Sequence, residues 1–112
     1  MTTSEIKFNV TIDENKLPVE INWNASGSGN DKPEPCKAIM VAIWDPKTKS
    51  TLKIDLWTKD MLVDEMKKFF HQTLLSMSET LQRATSEDKL AADMRDFCRH
   101  FAEKMNLEQK QG

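Results

Sequence analysis

The sequence predicts an α+β fold in which four antiparallel strands come first and two antiparallel helices follow. Apolar residues recur at every second position up to residue 57 and at every third or fourth position beyond about residue 61. Short polar reversals join the strands, whereas parallel neighbours would need longer crossover connections. The order ββββαα therefore predicts one four-stranded sheet, made of two hairpins, with the helix pair packed on one of its faces.

Each predicted strand has its own pattern. Residues 6–12 alternate apolar and polar, and residues 19–24 do so after Pro18, whose missing N–H does little harm at a strand start. Residues 36–44 are apolar almost throughout, which indicates that both faces of this third strand are covered. The fourth strand, 51–57, alternates again, with Leu52, Ile54 and Leu56 on one face and Lys53, Asp55 and Trp57 on the other.

The two helices are predicted from apolar stripes. The first spans about residues 61–84, with Thr58 and Asp60 as candidate caps at its start. The second spans about residues 87–106, with Thr85 or Ser86 as the cap. The stripes predict a core, with a groove for an apolar ligand or peptide as the alternative. They comprise Met66, Phe69, Phe70, Thr73, Leu74, Met77, Leu81 and Ala84 in the first helix and Leu90, Met94, Phe97, Phe101 and Met105 in the second.

The length and the glycine and proline content predict the domain organisation. A chain of 112 residues is long enough for one core, so we expect a single domain over residues 1–112. Residues 25–35 contain two of the three glycines and two of the four prolines, which predicts a flexible loop. Residues 107–112 lack an apolar period and are predicted to form a frayed tail.

Charge and composition exclude several classes of partner. Sixteen basic and eighteen acidic residues are interspersed and give a formal net charge of −2, which argues against nucleic acid as the partner. No apolar run approaches the roughly 18 residues that a membrane span requires, so membrane insertion is not expected. Cys36 and Cys98 lack the local spacing of a redox or metal motif, and we expect free thiols in a cytoplasmic protein.

Candidate catalytic residues are few. One hypothesis is a cysteine hydrolase that uses Cys98, His71 and Asp96; the simpler interpretation of Cys98 is a buried small apolar residue. The other histidine, His100, has no cluster of metal ligands beside it. No glycine-rich phosphate loop, GxSxG elbow or HExxH helix occurs. The sequence therefore predicts a protein that is not an enzyme, with no catalytic residue, no cofactor and no metal.

A binding surface is predicted on the face of the sheet turned away from the helices. If Ile39, Val41 and Ile43 face the helices, alternation places Met40 and Trp44 on the open face, where Trp57 also lies. Aromatic and methionine side chains on a face that is otherwise polar are typical of partner or self-association surfaces. We therefore predict that Met40, Trp44 and Trp57 bind a protein partner or form a homo-oligomer.

Three long segments resemble the gliding-motility protein GldC family: TTSEIKFNVTIDENKLP at the N-terminus, IDLWTKDMLVDEMKKFFHQTL across the change from strand to helix, and MRDFCRHFAEKM in the last helix. The resemblance implies a small cytoplasmic protein associated with surface gliding and with the secretion machinery coupled to it. It implies no catalytic residues. The family pattern has a proline opening the first helix, where this chain has Leu62, and leucine is tolerated there.

These observations favour a non-enzymatic accessory protein of the gliding apparatus that acts by protein–protein contact. The strand and helix order also looks like that of the export chaperone SecB, a similarity of topology only. It motivates the alternative of a chaperone or carrier that holds apolar peptide or ligand in a groove between helices and sheet.

Overall fold

The structure is a computed structural model that describes residues 1–27 and 32–106. The chain divides into two compact units, residues Met1–Met61 and Leu62–Gly112. All described strands lie in the first unit and both helices in the second, which confirms the predicted α+β order. The single domain, the flexible loop and the packing of helices against the sheet stay predictions.

The first sheet has three antiparallel strands in the order β1 (Ile6–Ile12), β2 (Pro18–Ala25), β3 (Glu34–Cys36). In its register Val10 lies opposite Ile21, and Ile21 lies opposite Cys36. Ile21 lies on the central strand β2 and is only 1% exposed. Pro18 occupies the first position of β2, as predicted.

The second sheet is a hairpin of β4 (Ala38–Asp45) and β5 (Ser50–Trp57), in which Val41 lies opposite Ile54. The prediction of one four-stranded sheet is therefore wrong, because the strands form two separate sheets of three and two. The predicted third strand, 36–44, is interrupted by a bend at Lys37. Cys36 pairs with β2 before the bend, and the residues from Ala38 onward pair with β5.

The predicted loop 25–35 contains a strand at its end, since Glu34 and Pro35 belong to β3. Prolines are tolerated in β3 because it is an edge strand of its sheet. Residues 28–31 of that loop and the predicted tail at 107–112 lie outside the described residues.

A polar junction joins the first hairpin to the end of β5. The Asp13 Oδ1 accepts the backbone N–H groups of Asn15 at 2.9 Å and Leu17 at 3.0 Å, which closes the β1–β2 turn. The Lys59 Nζ lies 2.9 Å from Asp13 Oδ2, and the Lys59 N–H donates to the Pro18 carbonyl at 3.0 Å. The hydrogen bond from Lys59 holds the pKa of the Asp13 carboxyl below its usual value.

The helices are α1 (Val63–Thr85) and α2 (Asp88–Lys104). The predicted caps Thr58 and Asp60 are wrong, because α1 begins after Leu62, whose N–H donates to the Glu65 carboxylate at 2.8 Å. The predicted cap of α2 is also wrong. Ser86 instead ends α1 in the left-handed conformation, with φ of 61°.

The contact between α1 and α2 buries small side chains. The buried residues of the two helices are Ser78, Ala91, Cys98 and Ala102. The burial of Cys98 agrees with its interpretation as a small apolar residue. Several large members of the predicted stripes are not buried, since Met77, Leu90 and Phe97 are each exposed.

Candidate protein-binding face

The tryptophan face is the surface of the β4–β5 hairpin that carries Met40, Trp44 and Trp57. The register places all three on one face, since Met40 lies opposite Asp55, Trp44 opposite Thr51 and Trp57 opposite Ala38. Trp44 is 62% exposed and Trp57 is 54% exposed, while Met40 is half-buried. The structure thus places the three predicted binding residues on a common surface, and partner binding stays a prediction.

The two tryptophans lie at opposite ends of this face. Trp44 pairs with Thr51, which precedes Trp57 by six positions on β5, so the two side chains are about 20 Å apart along the strand. The centre of the face between them is polar. There Lys53 Nζ lies 3.4 Å from Asp55 Oδ2, and both side chains are exposed.

The opposite face of the hairpin is apolar. Ile43 lies opposite Leu52 and Val41 opposite Ile54, and this face also carries Ile39 and Leu56. Ile43, Leu52 and Ile54 are each about half exposed. A two-stranded hairpin is marginally stable alone in water, because it lacks a further element to cover such a face.

A cleft of about 400 Å³ lies beside β5 and is lined by Leu17, Pro18, Asp55, Leu56, Trp57 and Lys59. Side chains of consecutive strand residues point to opposite faces. Because Asp55, Leu56 and Trp57 all line the cleft and no β4 residue does, the cleft runs along the edge of β5 that β4 leaves open.

A second cleft, of about 330 Å³, lies at the junction of the strands and includes Cys36, Thr58 and Asp60 in its lining. Burial raises the pKa of the Cys36 thiol above its ordinary value, which disfavours the reactive thiolate. The Thr58 hydroxyl donates to Asp60 at 2.6 Å and lowers the pKa of that carboxyl. The Thr58 hydroxyl and the Asp60 carboxylate are thus bound to each other.

The residues of the hydrolase hypothesis have other partners. Cys98 is 2% exposed and, within residues 32–106, makes no hydrogen bond with His71 or Asp96. The Asp96 carboxylate pairs with Arg99, and the His71 ring stacks on Phe101 with centroids 6.1 Å apart. These contacts do not assemble the predicted site among the described residues, and the hydrolase stays a hypothesis.

The described residues contain neither a cluster of metal ligands nor a helix suited to crossing a membrane. No group of three or more His, Cys, Asp or Glu residues in 1–27 and 32–106 could hold a metal ion. Neither α1 nor α2 combines the length and apolar character needed to cross a membrane.

Comparison with known proteins identifies a family. A family model described as gliding motility-associated protein GldC-like matches residues 18–107. This chain belongs to the GldC-like family. The match confirms the resemblance found in the sequence and covers every described strand and helix except β1. No curated protein and no solved structure matched the chain, so the SecB-like topology of this GldC-like protein stays a prediction.

Sequence reasoning missed the polar junction and both clefts. The segment Asp13–Lys16 was predicted only as a polar reversal, although an aspartate opening such a turn signals that its side chain will bind the following N–H groups. Nothing local indicates that Lys59, far along the chain, binds the same carboxylate.

Proposed function

We propose that this GldC-like protein is a non-enzymatic, cytoplasmic accessory protein of the gliding-motility apparatus and of the secretion machinery coupled to it. It acts by binding other proteins with the tryptophan face. The observation that carries the proposal is the exposure of Trp44 and Trp57 on a face whose centre is charged. Tryptophan is enriched among the few residues that supply most of the free energy of binding at protein interfaces.

Three further observations support a binding role over catalysis. The family is described by its association with motility, and its description names no reaction. The only buried free thiol among the described residues is that of Cys98, which is 2% exposed. The two clefts described above lie in the sheet unit, and burial raises the pKa of the thiol that lines the second, that of Cys36.

The test compares charge substitutions on the tryptophan face with a matched substitution elsewhere. Trp57→Glu and Trp44→Glu each place a carboxylate where an apolar contact is expected. The measurements are co-purification of partners from gliding cells and colony spreading of a deletion strain that expresses each variant. We expect each substitution to weaken partner capture by at least about tenfold, the effect of losing about 1.4 kcal/mol of binding free energy.

Val63→Glu is the control, because Val63 is an exposed apolar residue in the first turn of α1, where a carboxylate is favourable. It should leave partner capture and spreading unchanged. Circular dichroism and unfolding curves must show that all three variants fold. Folded Trp57→Glu and Trp44→Glu variants that capture partners and spread like the wild type would contradict the proposal.

A further inference from the structure

The open edge of β5 has a directional pattern of backbone groups. The Thr58 N–H donates to the Lys37 carbonyl at 2.8 Å, one step beyond the pair of Trp57 and Ala38. Because hydrogen-bonding direction alternates along an antiparallel strand, the odd-numbered residues of β5 point their N–H and C=O groups away from β4. Within the described ranges β5 pairs with β4 alone, so these groups face the open edge.

The side chains of β5 are self-complementary about Ile54. Lys53 and Asp55 flank Ile54, and Leu52 and Leu56 flank them in turn. If a second β5 lies antiparallel with its Ile54 opposite this Ile54, then Lys53 of each copy lies opposite Asp55 of the other. Opposite charges directly across an antiparallel pair are stabilising, and like charges are destabilising.

Charge also selects this register over its neighbours. A pairing centred on Lys53 would place two lysines opposite each other, and a pairing centred on Asp55 would place two aspartates opposite each other. A shift by a single residue would turn the apolar face of one copy to the polar side of the other. Of these pairings, the one centred on Ile54 satisfies both the charges and the apolar face.

We propose that β5 pairs with β5 of a second copy of this chain, antiparallel and about a twofold axis at Ile54, to form one four-stranded sheet. The hydrogen-bonded pairs are Thr51 with Trp57 and Lys53 with Asp55, each formed twice, and they use the outward-facing backbone groups. The cleft beside Asp55, Leu56 and Trp57 marks space along this edge, with Leu17 and Pro18 as its other wall. The open edge ends at Lys59, whose N–H donates to the Pro18 carbonyl. The contact is isologous, as in most symmetric dimers.

The dimer also completes the tryptophan face. Within one chain Trp44 and Trp57 are about 20 Å apart, but in the four-stranded sheet Trp44 lies two strands, about 10 Å, from Trp57 of the second copy, with Thr51 between them. Two identical composite surfaces result. The dimer is independent of the function proposed above, and only the role of this composite surface rests on that function.

Charge reversal tests the dimer in purified protein. Lys53→Glu and Asp55→Lys each create two like-charge pairs, and each should weaken dimerisation by about tenfold to a hundredfold in sedimentation equilibrium. The double variant, and an equimolar mixture of the two single variants, restore opposite charges and should dimerise like the wild type. Lys7→Glu is the matched control, because Lys7 also lies on a strand and pairs with a carboxylate two positions away.

Crosslinking tests the register. In a chain with Cys36→Ser and Cys98→Ala, Ile54→Cys places two thiols at the twofold axis, within the Cα separation that a disulfide allows. We expect rapid oxidation to a covalent dimer. Leu52→Cys is the control, since its two copies would be about 13 Å apart and should not crosslink. Any of three results would overturn the proposal: a wild-type chain that stays monomeric, single charge variants that dimerise normally, or crosslinking at residue 52 in preference to 54.

Trans-complementation tests the composite surface separately. A chain carrying Trp44→Glu and Lys53→Glu is mixed with one carrying Trp57→Glu and Asp55→Lys. The heterodimer keeps one surface with both tryptophans, so it should regain partner capture that neither chain has alone. Moving Trp44→Glu onto both chains destroys both surfaces and should abolish the rescue. Heterodimers that form but do not regain partner capture would overturn the composite surface and leave the dimer intact. If partner capture is then lost only in chains that carry a tryptophan substitution, that result still supports the proposed function.

Discussion

The three-stranded sheet and the β4–β5 hairpin are built from similar alternating apolar residues, yet they bury them differently. In the three-stranded sheet β2 is central, and Ile21 is covered by Val10 on one side and Cys36 on the other. In the hairpin every strand is an edge, and no residue of β4 or β5 is fully buried. The covered position thus lies on the central strand of the three-stranded sheet, and the hairpin has no central strand.

The largest expected effect is a loss of stability on substitution of Ile21, the buried residue of the three-stranded sheet. Ile21→Ala removes a side chain that is 1% exposed and should lower the free energy of unfolding by about 2–5 kcal/mol. Ile43→Ala makes the same change at a residue of the hairpin that is 47% exposed and should cost less than about 1 kcal/mol. Urea unfolding curves measure both, with similar m-values required for the comparison. Equal losses for the two variants would show that the hairpin buries as much surface as the three-stranded sheet.

This contrast explains which parts of the fold could be predicted from the sequence. The alternation of β1, β2 and β5 is a local property, and their bounds were predicted to within one or two residues. The separation into two sheets was not predicted, because residues 36–44 form a continuous apolar run with only Lys37 to interrupt it. The bend there coincides with a hydrogen bond from Thr58, a contact between distant residues that leaves no periodic signal.

The candidate site, too, could be predicted from the sequence only in part. Alternation alone predicted that Met40, Trp44 and Trp57 share a face, and the register confirms that placement. The distance between the tryptophans depends on the pairing of β4 with β5 and could not be predicted from one strand. The caps of α1 were missed because Thr58 and Asp60 bind each other and the strand junction instead of the helix start.

An intermediate effect is expected where the two sheets meet. Thr58 is 3% exposed, and its hydroxyl donates to Asp60 at 2.6 Å, with the Lys37 carbonyl 3.4 Å away. Thr58→Val keeps the shape and removes these bonds, so it should lower the free energy of unfolding by about 1 kcal/mol. It should also raise the pKa of Asp60 toward its ordinary value, because the Thr58 hydrogen bond is the main cause of its lowering.

Thr58→Ser, which keeps the hydroxyl, is the control for the junction. NMR titration of the Asp60 carboxyl should show little change in its pKa in the serine variant and a clear rise in the valine variant. A valine variant with an unchanged Asp60 pKa would mean that the Thr58 hydroxyl does not donate to the Asp60 carboxylate.

The smallest expected effect is a difference between the turns of the two hairpins in how their stability depends on pH. Asp13 and Asp45 each bind a following backbone N–H, but only Asp13 also pairs with a lysine, Lys59, among the residues described. The fold lowers the pKa of Asp13, so the stabilisation is present above the unfolded pKa of about 3.9 and is lost as pH falls through the folded value.

Asp13→Asn keeps an oxygen for the turn and removes the ion pair, so it should make the unfolding free energy less dependent on pH below about pH 4. Asp45→Asn removes a carboxylate without an ion pair and should leave the acid limb closer to the wild type. If both variants reduce the pH dependence equally, the ion pair between Lys59 and Asp13 adds no stability beyond that of the turn. The junction would then depend on its backbone hydrogen bonds alone.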